Sequence, residues 1–191
     1  MVMAVTARYG LPENLPVPVD DGSAEHLAGM SIPPLSLPAS NGGSVSLDKV
    51  SAGRWVLFVY PTTGVPGEVM HPGWDSIPGA RGCTPEACGF RDNLRDLLAA
   101  GLDAVYGLST QGTQYQSELV ERLHLPYLML SDPTYALGEQ LGLPTFEAGG
   151  SRFYKRLTLV SRGRTIEHVF FPIFPPNEHA RNVLEWLREH P

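Results

Sequence analysis

The amino-acid sequence predicts an α/β fold in which a central mixed β-sheet is flanked by helices. Residues 55–60, WVLFVY, are continuously apolar, which is typical of a strand that is buried on both faces. Strand-like and helix-like segments then alternate along residues 84–141, as they do where helices connect the strands of a sheet. Two later strand-like segments, joined by a turn at residues 161–164, add antiparallel strands.

The chain before the apolar run divides into an arm and a hairpin. Residues 1–30 are rich in proline and glycine and show no sustained period, so we expect an N-terminal arm with one helical turn at residues 24–29. Apolar residues alternate on both sides of the Asn-Gly-Gly turn at 41–43, which predicts a hairpin over residues 35–47. The main domain is therefore expected to span residues 31–191.

A long loop without periodicity follows the apolar run. Residues 61–82, PTTGVPGEVMHPGWDSIPGARG, contain many prolines and glycines, and loops of this length in compact domains are usually functional or disordered. The loop leads into a predicted helix with Thr84 as its N-cap, Pro85 in its first turn and Gly101 at its end. We therefore expect an insertion around residues 62–82, next to a helix start.

The remaining elements follow from the same patterns. We expect strands at residues 102–109, 127–130, 153–160 and 165–171, and helices at residues 110–123, 134–141 and 177–187. The aromatic segment FFPIFPP, residues 170–176, is expected to lie mostly in the core, and an exposed part of it would suit a dimer or partner contact.

Composition and charge exclude several classes of protein. The 191 residues include 14 Lys and Arg and 20 Asp and Glu, and the net charge of −6 argues against a nucleic-acid partner, which needs a basic face. No apolar run approaches the ~20 residues of a membrane span, and the first ten residues lack the features of a signal peptide. We expect a cytoplasmic protein without membrane contact.

The only two cysteines are Cys83 and Cys88. Secreted domains held by disulfides usually carry more cysteines in a shorter chain. The six histidines are scattered along the sequence, and a structural zinc site usually takes four Cys or His ligands, so a metal site is not expected. The cysteines are therefore either inert or reactive.

Cys83 lies at a helix start, which favours reactivity. Unpaired N–H groups and the helix dipole stabilise a thiolate there, so we expect the pKa of Cys83 to fall below its free value of ~8.5. Arg81 or, better, Arg156 could add a positive charge, because the stretch around Arg156 is rich in cations. The alternative remains open, since a free cysteine in a helix is more often a small buried hydrophobe than a nucleophile.

The spacing of the two cysteines limits how they can pair. Five positions along an intact helix correspond to a rise of ~7.5 Å and place the Cα atoms of Cys83 and Cys88 roughly 8–9 Å apart. A disulfide needs ~4.4–6.8 Å between the Cα atoms, so the first turns of the helix would have to unwind. The spacing also differs from the Cys-x-x-Cys pair of thioredoxin-type exchangers.

Residues 82–92, GCTPEACGFRD, resemble the active-site signature of peroxiredoxins of the bacterioferritin-comigratory type, the PrxQ group. The resemblance covers roughly residues 30–188. It implies a thioredoxin-like fold with an N-terminal β-hairpin extension. It also implies that Cys83 is the peroxidatic cysteine, that Cys88 is the resolving cysteine, and that Arg156 is the active-site arginine.

The sequence departs from the family pattern before Cys83. The family usually has a threonine three residues before the peroxidatic cysteine, and Ala80 occupies that position here. Thr62 or Thr63 would then supply the hydroxyl, with the insertion looped out behind it, or the hydroxyl is missing; we favour Thr63. By resemblance, Pro61 would shield the sulfur from water.

The resemblance implies a reaction and its partners. Cys83 would reduce hydrogen peroxide or an alkyl hydroperoxide, Cys88 would form an intramolecular disulfide with it, and a thioredoxin-like dithiol would reduce that disulfide. The implied reaction requires no metal or organic cofactor. We expect a monomer or a weak homodimer. The alternatives are a peroxide-responsive sensor or interaction protein that uses the same cysteines as a switch, and a disulfide exchanger.

Two features of the insertion have competing interpretations. Met70 and Trp74 would narrow the pocket for organic peroxides, or they would only pin the loop to the surface, which we favour. His71 would act as a base near Cys83, although a loop histidine is more often solvated.

Overall fold

The computed structural model of the protein describes residues 11–12, 14–65, 67 and 70–191. The strands are β1 (Ser36–Pro38), β2 (Ser44–Ser46), β3 (Arg54–Val59), β4 (Leu102–Ser109), β5 (Met129–Ser131), β6 (Thr145–Ala148), β7 (Ser151–Tyr154), β8 (Leu157–Arg162) and β9 (Thr165–Phe170). The α-helices are α1 (Cys83–Ala99), α2 (Thr113–Leu123), α3 (Ala136–Leu141) and α4 (His179–Glu189).

The central sheet has five strands in the order β5-β4-β3-β8-β9. Strands β3, β4 and β5 are parallel, whereas β8 pairs antiparallel with both β3 and β9. The mixed sheet flanked by helices that the sequence predicts is confirmed. Strand β3 lies at its centre, so the end of β3 has neighbouring strands on both sides.

Both faces of β3 are buried, which explains its continuous apolar run. Val56 and Phe58 pack into a core layer with side chains of α1, α2 and α4. Trp55 and Leu57 pack into the opposite layer, with α3 and the N-terminal segment. A strand buried on both faces cannot alternate polar and apolar residues, because each of its side chains meets a hydrophobic layer.

The predicted N-terminal hairpin is confirmed as β1 and β2, which pair antiparallel. Before it, the helical turn expected at residues 24–29 is a short 3₁₀ helix, Glu25–Leu27. The backbone N–H of Gly29 donates to the carbonyl of Ile166, and residue 27 is fully buried. The end of the arm is therefore fixed to strand β9.

The single strand expected at residues 153–160 is wrong. The chain forms a separate hairpin of β6 and β7, and β8 begins only at Leu157. Gly149 and Gly150 both have positive φ angles, of 57° and 76°, and make the tight turn between β6 and β7. The break between β7 and β8 contains Arg156, which is therefore not part of a strand.

In the part of the chain that the structure describes, no helix combines the length and the apolar character that a bilayer span requires.

Candidate active site

Cys83 is the first residue of α1, beyond the carboxyl end of β3. The N-cap is Gly82, with a φ angle of 105°, so the expected cap at Thr84 is wrong. A Cβ atom on Gly82 would lie 2.3 Å from Cγ of Pro176 and 2.9 Å from a methyl carbon of Leu11. Only glycine suits this position, because both the left-handed conformation and the close packing exclude a side chain.

The Cys83 sulfur makes two side-chain hydrogen bonds. Nη2 of Arg156 donates to it over 3.1 Å. The thiol itself donates to the carbonyl oxygen of Ala80, 3.6 Å from the sulfur. The guanidinium and the helix N-terminus both stabilise negative charge on the sulfur.

Arg156 is itself fixed by a buried network. Its Nη1 atom donates to Oε2 of Glu86, and its Nη2 atom donates to the carbonyl oxygens of Arg81, at 3.1 Å, and Ala80, at 3.4 Å. The Arg156 side chain is 1% exposed and the Glu86 side chain is fully buried. Because Glu86 follows Cys83 by three residues in α1, one helical turn presents both side chains to the same guanidinium.

Two acids therefore share one guanidinium. Burial raises the pKa of Cys83, the Arg156 charge opposes this rise, and the carboxylate of Glu86 adds to it. The pKa fall that the sequence predicts is thus wrong for the buried thiol. Burial also raises the pKa of Glu86 to about 7, with Arg156 again in opposition. Ionisation of either acid disfavours ionisation of the other, so the two titrate as a coupled pair.

A cavity of about 360 Å³ opens onto Cys83. Its lining is mostly apolar, and includes Leu11, Pro12, Thr62, Thr63, Gly64, Val65, Met70, Trp74, Ala80, Arg81, Gly82, Thr84, Pro85 and Arg122. This volume falls at the lower end of the ~300–1,000 Å³ that small-molecule sites occupy. Cys83 is 3% exposed, so a reactant reaches the sulfur through this cavity and not from open solvent.

The loop before Cys83 brings both candidate threonines to this cavity, and Pro61 is buried beside them. The Thr63 hydroxyl donates to Oε1 of Gln111 over 3.1 Å. Ala80, at the family's threonine position, contributes its carbonyl oxygen to the network around Cys83 and Arg156.

The insertion packs against the β6–β7 hairpin. Trp74 is 2% exposed and contacts Phe146 and Phe153, with ring centroids 5.8 Å and 5.0 Å away. His71 belongs to the same aromatic group, 5.3 Å from the Phe153 ring. Trp74 also lines the cavity beside Cys83, so it both anchors the insertion and forms part of the site wall.

Cys88 lies within intact α1, and both cysteines are free and buried. Burial raises the pKa of Cys88, while the charge of Arg91 opposes the rise. The helix geometry that keeps the two Cα atoms too far apart for a disulfide is therefore present in this conformation.

Sequence reasoning missed three residues of this network. Glu86 follows Cys83 by three residues in the first turn of the predicted helix, and this spacing indicates a shared helix face. Gln111, in the β4–α2 connection, and Tyr115, in the first turn of α2, contact Thr63, and no local pattern indicates these contacts. In the described part of the chain, no group of three His, Cys, Asp or Glu side chains converges as a metal site.

A family model described as Redoxin matches residues 27–184. This chain belongs to the redoxin family. Peroxiredoxin Bcp of Escherichia coli K12 is 32% identical over 167 residues, which cover 85% of this chain and 96% of that protein. The chain is thus a peroxiredoxin of the bacterioferritin-comigratory or PrxQ type, as its signature predicts.

Further relatives agree with this assignment. The chloroplastic peroxiredoxin Q of Arabidopsis thaliana is 25% identical over 160 residues, which cover 84% of this chain and 66% of that protein. The crystal structure of peroxidoxin BcpB from Mycobacterium tuberculosis has a TM-score of 0.68 at 28% identity, covering 85% of this chain and 96% of that one. A Xanthomonas campestris peroxiredoxin Q structure, with a TM-score of 0.64 at 20% identity and coverage of 82% and 90%, shares the fold. The predicted thioredoxin-like fold is confirmed, and this peroxiredoxin is a thiol peroxidase that acts on peroxides with a thiol reductant.

The shared guanidinium predicts how Glu86 affects this peroxiredoxin. Replacing Glu86 with Gln removes a like charge, so the pKa of Cys83 should fall by roughly one unit or more. Thiolate absorbance measured against pH in a Cys88→Ser background reports Cys83 alone. Asp92→Asn, an exposed change on the same helix, is the matched control and should leave the pKa of Cys83 unchanged. An unshifted Cys83 in Glu86→Gln would contradict the coupling.

Proposed function

We propose that this peroxiredoxin reduces hydrogen peroxide and organic hydroperoxides with Cys83 as the peroxidatic cysteine and Cys88 as the resolving cysteine. The observation that carries the proposal is the Cys83 sulfur, 3.1 Å from a buried guanidinium and at the inner end of a cavity. Arg156, Thr63 and Pro61 complete the proposed catalytic set. A thioredoxin-like dithiol is the proposed reductant.

The first step is attack of the Cys83 thiolate on one peroxide oxygen. The O–O bond breaks, the sulfur keeps the attacked oxygen as a sulfenic acid, and the departing alkoxide or hydroxide takes up a proton to leave as alcohol or water. The Arg156 guanidinium faces the sulfur from which negative charge moves to oxygen, and the start of α1 adds unpaired backbone N–H groups there. Donors fixed in advance stabilise such charge without reorganisation.

The reaction is compatible with the buried site and the raised pKa of Cys83. The reactive species is the thiolate, and the guanidinium is the group that favours it against burial. When Glu86 is protonated and neutral, it no longer competes with Cys83 for the Arg156 charge. The pKa of Glu86, about 7, allows the protonated form near neutral pH. Proton exchange between the two acids would thus adjust the thiolate population.

The second step forms the disulfide. The Cys88 thiolate attacks the sulfenic sulfur of Cys83, the S–O bond breaks as the S–S bond forms, and the departing hydroxide takes up a proton to leave as water. The first turns of α1 must unwind for this step, because an intact helix holds the Cα atoms beyond disulfide distance. The dithiol reductant then opens the disulfide by thiol exchange and restores both thiols.

The proposed setting follows from this chemistry. We place the protein in the cytoplasm, where reductants keep two free cysteines reduced. We propose a monomer or a weak homodimer, in which the partly exposed Phe174 of the aromatic segment would take part in the contact.

A sensor or interaction protein is the second candidate function. The same unwinding of α1 that brings the cysteines together would change the surface around Cys83, which a partner could recognise. Steady-state assays separate the two functions. Rapid peroxide consumption with thioredoxin as reductant supports the enzyme, whereas stoichiometric oxidation without turnover supports the switch.

Cysteine variants test the proposed roles. Cys83→Ser should abolish peroxide consumption, because the nucleophilic sulfur is missing. Cys88→Ser should consume one equivalent of peroxide and then stop with thioredoxin as the sole reductant, since no disulfide forms. Coupled thioredoxin assays and mass spectrometry of the cysteines measure both outcomes. Full activity in Cys83→Ser would refute the assignment.

A larger side chain at position 70 tests access through the cavity. Met70 lines the cavity, so Met70→Trp should reduce its volume and lower kcat/KM for cumene hydroperoxide by about tenfold, with a much smaller loss for hydrogen peroxide. Hydrogen peroxide is the internal control, because it samples the same sulfur without filling the cavity. Equal losses for both substrates would contradict the role of this wall in admitting organic peroxides.

A further inference from the structure

The insertion leaves Thr63 far from Cys83 in sequence. Residues 64–82 lie between them, so the chain connection alone does not fix how the threonine faces the sulfur. A long loop permits many placements of its ends, and a catalytic hydroxyl must be held within a fraction of an ångström. Another part of the protein therefore has to hold this position.

The Gln111 side chain makes this connection. Its Oε1 atom accepts the backbone N–H of Thr63 over 2.9 Å and the Thr63 hydroxyl over 3.1 Å. Its Nε2 atom donates to the carbonyl oxygen of Thr63 over 3.1 Å, and the hydroxyl of Tyr115 donates to the same oxygen over 2.6 Å. The Gln111 amide and the Tyr115 hydroxyl thus bind the backbone N–H, the backbone carbonyl and the side-chain hydroxyl of Thr63.

Gln111 is in turn tied to the central sheet. Its backbone N–H donates to the hydroxyl of Ser109, at the end of β4, over 3.2 Å. Its backbone carbonyl accepts the hydroxyl of Ser131, at the end of β5, over 2.6 Å. Ser109 and Ser131 are both buried. The position of Thr63 is therefore fixed relative to strands β4 and β5 and does not depend on the inserted loop.

This arrangement also sets the direction of the Thr63 hydroxyl. Its hydrogen is engaged with Gln111, so its oxygen presents lone pairs, which accept an O–H and do not donate one. An alkyl hydroperoxide has one O–H hydrogen to donate, and hydrogen peroxide has two. Thr63 and Cys83 line the same cavity, so a peroxide bound there can meet both side chains.

We propose that Gln111, assisted by Tyr115, is a positioning residue that holds Thr63 at the cavity beside Cys83, where the Thr63 hydroxyl accepts the peroxide O–H. This inference rests on the proposed function. Gln111 replaces the short connection between threonine and cysteine that the insertion has removed. It acts through Thr63 and touches neither the sulfur nor the peroxide.

A double-mutant cycle tests this role. The rate constant for oxidation of Cys83 by hydrogen peroxide is measured in the full chain for wild type, Gln111→Met, Thr63→Val and the double variant. Each single change should lower the rate by about tenfold, because a small misplacement of a reacting group is costly. The double variant should lose about tenfold and not about a hundredfold, because Gln111 acts through the Thr63 hydroxyl, which the second change has already removed.

Two further variants keep the test decisive. Gln114→Met, an exposed change on α2, is the matched control and should react at the wild-type rate. If Gln111→Met fails to fold, Tyr115→Phe takes its place in the cycle, with a smaller loss because Gln111 still donates to the Thr63 carbonyl.

The outcomes separate this inference from the proposed function. Independent, multiplicative losses, or a wild-type rate in the variant used for the cycle, would overturn the positioning role. If wild type itself shows no peroxide oxidation of Cys83, the proposed function fails first. Rapid wild-type oxidation with multiplicative losses would leave the peroxidase intact and reject only the role of Gln111.

Discussion

The contact between the Arg156 guanidinium and the Cys83 sulfur, 3.1 Å long and removed from water, is the interaction on which the rest of the site depends. Charges are costly to bury, and each is tolerated only with a partner. Here the Arg156 guanidinium contacts both Glu86 and Cys83, so the two acids compete for one positive charge. The reactivity of the sulfur is therefore set by the sharing of one positive charge within a closed space.

The fold supplies each part of this contact from a different element. Arg156 lies in the break between β7 and β8, outside the sheet. Gly82, in the left-handed conformation, is the N-cap of α1, so the helix begins at Cys83. Glu86 lies in the first turn of the same helix and contacts Arg156. The insertion and residues near the N-terminus contribute to the lining of the cavity. The same packing that positions the thiol for peroxide holds α1 folded and so opposes the unwinding that Cys88 requires. Such a site must be stable enough to bind peroxide yet open in its first helical turns after oxidation.

Local sequence patterns predict the fold class and the motif around Cys83, but they do not predict contacts between residues that are distant in sequence. The apolar run of β3, the alternating elements and the motif around Cys83 are encoded in neighbouring residues, and the fold class and family follow from them. The β6–β7 hairpin was missed although Gly149-Gly150 is a turn signal, because the following residues also suit one continuous strand. The contact of Gln111 with Thr63 joins residues distant in sequence, and no periodicity reports it. The direction of the Cys83 pKa was wrong because burial, which a sequence does not display, outweighs the stabilising charge.

The pKa of Cys83, measured by thiolate absorbance in a Cys88→Ser background with and without Arg156→Gln, tests the central claim most directly. Removing the guanidinium should raise the pKa of Cys83 and slow its oxidation by hydrogen peroxide by about a hundredfold or more, since the charge that opposes burial is lost. An unchanged pKa together with an unchanged oxidation rate, in a variant that remains folded, would contradict the account.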